Sequence, residues 1–412
     1  MIINSFSLGV IRESRADETR APLSPKHIKR LKETYKDIEI IVQPSNNRCF
    51  KDNEYAKVGA TLSENLSKTN LILGVKEIDT KILIENKKYL FFSHTSKIQP
   101  DNSAAAQGTP EVDKKELLKI ILQKKITLID YENIRDKNGF RYLGFGRFAG
   151  IVGCYNSLCL YDNFINNTSL PRAYKLKEYF LVKEMLMNTK FSPIKVLITG
   201  DGRVAKGVLE LLKHTHFIQV SKNDFVNKKY NEPVFCNLET KDYVSEINKN
   251  TFRLEDFIKN PRNYISIAGK YLRKTNMLIS AHYWDPLSPK IFELSELEKF
   301  EELKVIGDIT CDINGSIPTT LKSTTINDPY FYLNKNTKKE IHKDAESLAI
   351  MAVDNLPSEL PRDSSEEFGS GIVEEVLPYI INKDDQRIYS ATIIKKGVFL
   401  PKYKYLEKYI SF

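Results

Sequence analysis

One tryptophan and five cysteines are all that the 412 residues hold of these two types. The cysteines (Cys49, Cys154, Cys159, Cys236, Cys311) are odd in number, scattered, and never spaced Cys-x-x-Cys. That excludes a disulfide framework and the usual structural zinc sites, so neither disulfides nor a metal is expected. No run of eighteen apolar residues occurs, which excludes a conventional membrane-spanning helix. The start, Met1 to Phe6, lacks the charged and apolar regions of a signal peptide, and a cytoplasmic protein is expected. The formal charge is +9, yet no dense basic block interleaved with aromatics is present. Nucleic acid and membrane partners are therefore not expected; small anionic substrates fit the bias better. Internal repeats and long low-complexity segments are also missing.

What is present is a globular composition, 41% apolar and 28% charged, in a chain long enough for two domains. Its most informative stretch runs from residue 195 to 207. Val196-Leu-Ile-Thr199 has strand character and leads into Gly200-Asp201-Gly202-Arg203-Val204-Ala205, followed by the helical pattern Val208, Leu209, Leu211, Leu212. Gly200 permits a tight turn, Gly202 leaves backbone N–H groups open to a pyrophosphate, and Ala205 lets the helix approach its strand. Gly200, Asp201, Gly202, Arg203 and Val204 are thus the expected cofactor-binding turn. Further strands at Phe217–Val220, Asn276–Ser280 and Lys304–Ile309 suit a doubly wound sheet. The polar segment 221–262 gives no clear pattern.

The N-terminal part reads as a second α/β unit. A strand over residues 6–13 precedes a loop carrying Arg20, and Ser24-Pro25 can cap and open a helix through Ile28 and Leu31. Strands at Ile38–Val42, Leu71–Val75, Tyr89–Phe92 and Ile126–Ile129 follow. The last three deliver Lys76-Glu77, then His94 with Lys97 and Gln99, then Asp130-Tyr131-Glu132, to the carboxyl edge of a sheet. Lysines, a histidine and carboxylates gathered there make an acid–base pocket. Residues 101–110, small and Ala-rich, read as an exposed loop, and residues 144–159 as a close-packing helix between domains. After about residue 335, a helix near 345–353 and another opened by the capping-box spacing Ser364 to Glu367 and ending near Ile381 are expected to return to the first domain. The expected division is 1–145 plus 335–412, and 146–334.

These motifs, Glu18-Thr-Arg20-Ala-Pro-Leu-Ser-Pro25, Gly74-Val-Lys76-Glu77, Phe91-Phe-Ser-His94-Thr-Ser-Lys97-Ile-Gln99, Leu128-Ile-Asp-Tyr-Glu132 and Phe145-Gly-Arg-Phe-Ala-Gly150, resemble the lysine-forming saccharopine dehydrogenases. The resemblance is greatest to the lysine–ketoglutarate reductase half of the bifunctional aminoadipic semialdehyde synthases. Asp308-Ile-Thr-Cys-Asp312, Asp354-Asn-Leu-Pro357 and Leu400-Pro-Lys-Tyr-Lys-Tyr405 extend it towards the C-terminus. It implies an alanine dehydrogenase-like α/β fold, two Rossmann-type doubly wound domains around a cleft. It also implies condensation of lysine and 2-oxoglutarate to an imine, reduced by NAD(P)H to saccharopine, and the reverse oxidation. By position, Lys76 and His94 become the acid–base pair. Arg20, Lys97, Gln99, Arg141 and Phe145 become substrate contacts, with Glu77 and Glu132 in the same site tuning the lysine and histidine. Asp308 falls at a strand end near the expected nicotinamide. A homo-oligomer and small-molecule substrates are implied, and a chain ending at Phe412, without a second dehydrogenase domain, is expected to act alone.

Residues 220–222 read Val220-Ser221-Lys222. A serine and a lysine at the end of the second strand suit a 2′-phosphate, so NADP is favoured over NAD, with Asp224 as the residue that would favour NAD. An alanine dehydrogenase or other amino-acid or opine dehydrogenase is the alternative reading. A nucleotide-binding protein without turnover is another.

Overall fold

The computed structural model describes residues 6–98, 113–137, 139–166, 168–249, 251–344, 346–382 and 386–410. Gln99 and the segment 101–110 lie outside the described residues, as does the side chain of Lys97. The chain divides into two compact units, Met1–Phe145 with Pro361–Phe412, and Gly146–Leu360. In chain order the strands of the first part are β1 (Ser7–Val10), β2 (Glu39–Val42), β3 (Thr61–Leu62), β4 (Leu71–Leu73), β5 (Lys88–Phe91) and β6 (Thr127–Asp130). Then come β7 (Lys195–Thr199), β8 (Ile218–Gln219), β9 (Val234–Leu238), β10 (Val244–Glu246), β11 (Tyr264–Ser266), β12 (Met277–Ser280), β13 (Val305–Asp308), β14 (Tyr330–Leu333), β15 (Glu340–Ile341) and β16 (Leu348–Met351). The last two are β17 (Thr392–Lys395) and β18 (Val398–Phe399).

In the first unit the sheet order is β18-β17-β6-β5-β4-β1-β2-β3. Strands β1 to β6 pair in parallel, and β17 and β18 add antiparallel at one edge. The chain steps from β1 out to β3, then crosses back and steps from β4 out to β6. The sheet therefore changes winding direction between β1 and β4, where open α/β sheets leave a crevice beyond their carboxyl ends. Every residue of β1 and β4 is buried, as parallel strands covered on both faces require. The helix Pro25–Thr34 starts as its sequence suggests, with Ser24 extended at the cap and Pro25 at the first helical position. Ser24 N–H donates to Nδ1 of the buried His27 at 3.1 Å. Burial, with the charges of Lys26 and Arg30, lowers this imidazole to about 4 and keeps it neutral.

In the second unit the order is β15-β14-β16-β13-β12-β7-β9-β8. The six strands β16, β13, β12, β7, β9 and β8 run in parallel, with the winding change between β7 and β12. This unit extends to Leu360, beyond the expected limit at 334, because β14, β15 and β16 complete its sheet. The expected helix near 345–353 is strand β16. Its Leu-Ala-Ile-Met run is buried throughout between β13 and β14, which suits a strand covered on both faces better than a surface helix. The following helix is Pro361–Glu375, so Ser364 lies inside it and the capping-box reading does not hold. Pro361, which needs no N–H partner at a helix start, sets the beginning instead.

The small-residue helix Gly146–Tyr161 packs on Arg203–Leu212, the helix after the glycine turn. A Cβ at Gly150 would run into the Val204 carbonyl oxygen, and one at Gly207 into that of Arg147. The two helix backbones touch there, which fixes the glycine-turn helix on its sheet. Among the described residues no helix is long and apolar enough to cross a membrane. Gly150→Ala is expected to lower stability by about 1 to 3 kcal/mol in urea denaturation, the usual size of an overpacking penalty. Gly269→Ala, where an added Cβ meets nothing within 4 Å among the described residues, is expected to change it little.

Candidate active site

Four strands of the first sheet place chemistry at its carboxyl edge. Glu13 follows β1, Lys76 and Glu77 follow β4, His94 follows β5, and Asp130 ends β6 with Glu132 just beyond. The Glu13 carboxylate accepts the N–H groups of Val75 (2.6 Å) and Lys76 (2.9 Å), so it bridges the point where the winding changes. Burial, followed by the negative charge of Glu18, raises Glu13 to about 8.

Glu77 Oε1 lies 2.6 Å from His94 Nδ1. Burial opposes the charge of Glu77, but the hydrogen bond and charge of His94, together with Lys76, hold it down at about 2. An ionised carboxylate can only accept, so Nδ1 donates and Nε2 is the nitrogen left for proton exchange. His94 has φ 51°, a left-handed conformation that costs a non-glycine residue about 1 to 3 kcal/mol and recurs at functional sites. Its ring stacks on Phe92 with centroids 6.0 Å apart. Phe92 also contacts Tyr131, Phe145 and Phe368, the last brought in by the returning helix Pro361–Glu375.

Arg20 and Glu18 are both buried and share a two-point contact. Arg20 Nε donates to Glu18 Oε1 at 2.8 Å, and Nη2 donates to Oε2. Burial opposes ionisation of Glu18, but Arg20's charge and hydrogen bonds hold its carboxyl below the usual carboxylate range. The Arg20 guanidinium also lies 4.0 Å over the Phe145 ring. Two nitrogens of Arg20, Nε and Nη2, are thus engaged by Glu18. Arg141 Nη1 meets Glu132 Oε1 at 3.2 Å, with about a third of the arginine side chain exposed. Asp130, raised by burial, accepts from the Ser93 hydroxyl at 2.6 Å and the Glu132 N–H at 2.8 Å, fixing the two strand ends that carry His94 and Glu132.

The fold of the first unit thus gathers Arg20, Lys76, Glu77, His94, Glu132, Arg141 and Phe145 at one sheet edge. Lys97 closes a short turn, Thr95–Lys97, right after His94. Sequence reasoning missed Glu13. Its signal was a carboxylate three residues past the first buried strand, at the position facing the winding change.

In the second unit, β7 ends in a turn in which Gly200 has φ +110°. A Cβ there would stand 2.6 Å from the Ala281 carbonyl oxygen. At Gly202, which caps Arg203–Leu212, a Cβ would meet nothing within 4 Å among the described residues. Asp201, Gly202 and Arg203 are exposed and Val204 is half-buried. A sharp turn with open backbone ahead of a ten-residue helix fits the pyrophosphate of a dinucleotide. Beside the turn, His282 Nδ1 pairs with the Thr199 hydroxyl at 2.8 Å, while its buried Nε2 has no hydrogen-bond partner among the described residues. Burial lowers this imidazole to about 4.

The structure bears on two cofactor expectations. Ser221 and Lys222 do not follow the strand next to β7. Strand β9 occupies that place and β8 lies outside it. Ile218 and Gln219 are both exposed, which suits an edge, whereas four of the five residues of β9 are buried. Ser221 caps the helix Lys222–Asn227 through the Asp224 N–H, Lys222 pairs with Asp242 at 2.6 Å, and Asp224 pairs with Lys228 at 3.1 Å. Asp308 is fully buried, raised by that burial, and accepts from the hydroxyls of Thr310 and Thr320, each at 2.6 Å. It anchors the end of β13.

The family described as alanine dehydrogenase/PNT, N-terminal domain, matches residues 9–152. The chain is 29% identical to the mitochondrial alpha-aminoadipic semialdehyde synthase of Bos taurus over 95% of its own length and 46% of that protein's. It therefore spans about half the length of this curated relative. It is 25% identical to the saccharopine dehydrogenase [NAD(+), L-lysine-forming] of Candida glabrata, over 91% of this chain and 92% of that one. A solved L-alanine dehydrogenase superposes with a TM-score of 0.61 at 13% identity, covering 98% of this chain and all of that one. The chain has the alanine dehydrogenase-like fold and is similar in sequence to saccharopine dehydrogenases and to about half the length of the aminoadipic semialdehyde synthases.

Proposed function

We propose that the chain is an NAD(P)-dependent oxidoreductase interconverting lysine plus 2-oxoglutarate with saccharopine. The observation that carries this reading is the Glu77–His94 pair at 2.6 Å, beside Lys76 and at the winding change of a parallel sheet. The names of the bovine and fungal relatives support the substrates. Saccharopine carries three carboxylates, and Arg20, Lys97, Gln99 and Arg141 are the groups we assign to substrate. Arg141 is the one suited to exchange, because its ion pair with Glu132 is partly exposed.

When bound, the nicotinamide supplies or takes the hydride. Imine formation moves two protons from nitrogen to oxygen: the lysine nitrogen loses one to attack the keto carbon and a second as the carbinolamine forms, and the keto oxygen gains both and leaves as water, giving the iminium that the hydride reduces. We assign these to Lys76 Nζ and His94 Nε2. Glu77 fixes the tautomer and orientation of His94 by holding Nδ1. Glu13 sets the backbone from which Lys76 projects. The wall of Phe92, Tyr131, Phe145 and Phe368 keeps water from one side of the pair.

Initial rates of NADPH and NADH oxidation with 2-oxoglutarate, with and without lysine, test the reading. Oxidation that requires lysine is expected; oxidation with ammonia and a keto acid, but not with lysine, would reject it. His94→Ala is expected to lose about a hundredfold or more in turnover, the usual size of a general acid–base contribution, while still binding nucleotide. Unchanged turnover would remove His94 from the mechanism. Glu13 holds its proton more tightly folded than unfolded. Its contribution to stability is complete below about pH 4.5 and fades as pH rises through about 8. Urea unfolding between these limits should show a stability decrease of at most about 1.4 kcal/mol per pH unit from this group, reduced by its partial exposure. Glu13→Gln is expected to flatten that slope.

A further inference from the structure

We propose that Glu239, directly after β9, selects the adenosine ribose and makes the chain prefer NAD(H) over NADP(H). The inference rests on the reading of Gly200–Gly202 as a dinucleotide turn. In doubly wound sheets the ribose hydroxyls are met by a residue at the end of the strand beside the glycine strand. Here that strand is β9, paired in parallel with β7 along five residues, from Lys195 with Val234 to Thr199 with Leu238. The Gly200 N–H donates to the Leu238 carbonyl at 2.8 Å, so the glycine turn and the end of β9 are joined by backbone. The next residue is Glu239.

Its side chain is 46% exposed and is paired with Lys241 Nζ at 2.6 Å, itself a surface lysine. Such an exposed pair is weak and yields readily to a ligand. Asp242 accepts the Glu239 N–H at 2.8 Å and pairs with Lys222 at 2.6 Å, which holds the strand end in place and occupies the lysine. Asp201, in the glycine turn, is close enough for its charge to act on Lys241. Three carboxylates, Asp201, Glu239 and Asp242, therefore face two lysines, Lys222 and Lys241. A ribose bearing free hydroxyls donates to a carboxylate. A 2′-phosphate brings about −1.5 to −2 charge directly against the Glu239 carboxylate and is disfavoured.

Equilibrium binding of NADH and of NADPH to the purified full chain, by titration calorimetry, tests this without relying on turnover. The wild type is expected to bind NADH at least about tenfold more tightly, since hydrogen bonds to a charged group are worth roughly that or more. Glu239→Ser is expected to weaken NADH about tenfold and to bring NADPH to equal or better affinity. Gly202→Val, at a position with open space around it, serves as the second variant and should abolish binding of both nucleotides. If the wild type binds neither, or Gly202→Val binds both as before, the dinucleotide turn itself is misread. If both bind and Gly202→Val blocks both, but NADPH binds more tightly, only the selection proposal falls. It also falls if Glu239→Ser leaves the ratio unchanged, or if Ser221→Ala shifts it and Glu239→Ser does not.

Discussion

Two hydrogen bonds, from the N–H groups of Val75 and Lys76 to the carboxylate of Glu13, tie together the strands between which the first sheet reverses its winding. At such a point neighbouring connections leave in opposite directions, which opens a crevice beyond the strand ends. Polar backbone there would otherwise stand unpaired. Glu13 satisfies it and so holds the segment that carries Lys76 and Glu77. Glu77 in turn fixes His94, whose left-handed backbone is sustained by the surrounding contacts. The acid–base cluster is thus a chain of dependence, from strand order to a bridging carboxylate to an oriented imidazole.

The same geometry is used differently in the second unit. There the winding change lies between β7 and β12, and the turn at Gly200 is pressed against Ala281. What makes the turn suitable for a nucleotide is close helix packing. Gly150 and Gly207 let two helix backbones meet, which brings the helix starting at Arg203 down onto the sheet with its open end at Gly202. Larger residues at either glycine would lift that helix. Gly150 thus acts on the glycine turn of the second unit through a neighbouring helix.

Much of this is legible along the chain because the information is local. Buried parallel strands read as short apolar runs, and the residues just after Leu71–Leu73, Lys88–Phe91 and Thr127–Asp130 fall at the carboxyl edge whatever the order of the strands. Lys76, Glu77, His94 and Glu132 could be picked out on that basis, and Ser24-Pro25 announced its helix. Where a pattern served two structures, reading failed. Leu348–Met351 is apolar enough for a helix or a strand, and only its place between β13 and β14 makes it a strand. Glu13 carried no motif, and its role arises from β4 lying beside β1, some sixty residues later in the chain.

The case of Ser221, Lys222 and Glu239 separates the two kinds of information most clearly. The sequence by itself determined that a strand, a glycine turn and a helix occur at 195–212, since period, turn chemistry and helix start are properties of adjacent residues. It also determined that acid–base groups follow three successive strands. It did not determine which strand lies beside the glycine strand. The first strand after the turn is short and exposed, and the next is buried, so burial placed the later one inside. Sheet order is decided by competition among strands for the covered positions, a comparison over the whole unit that no local stretch contains. For that reason the identity of the turn was legible, while the residue beside it was settled only by the tertiary structure.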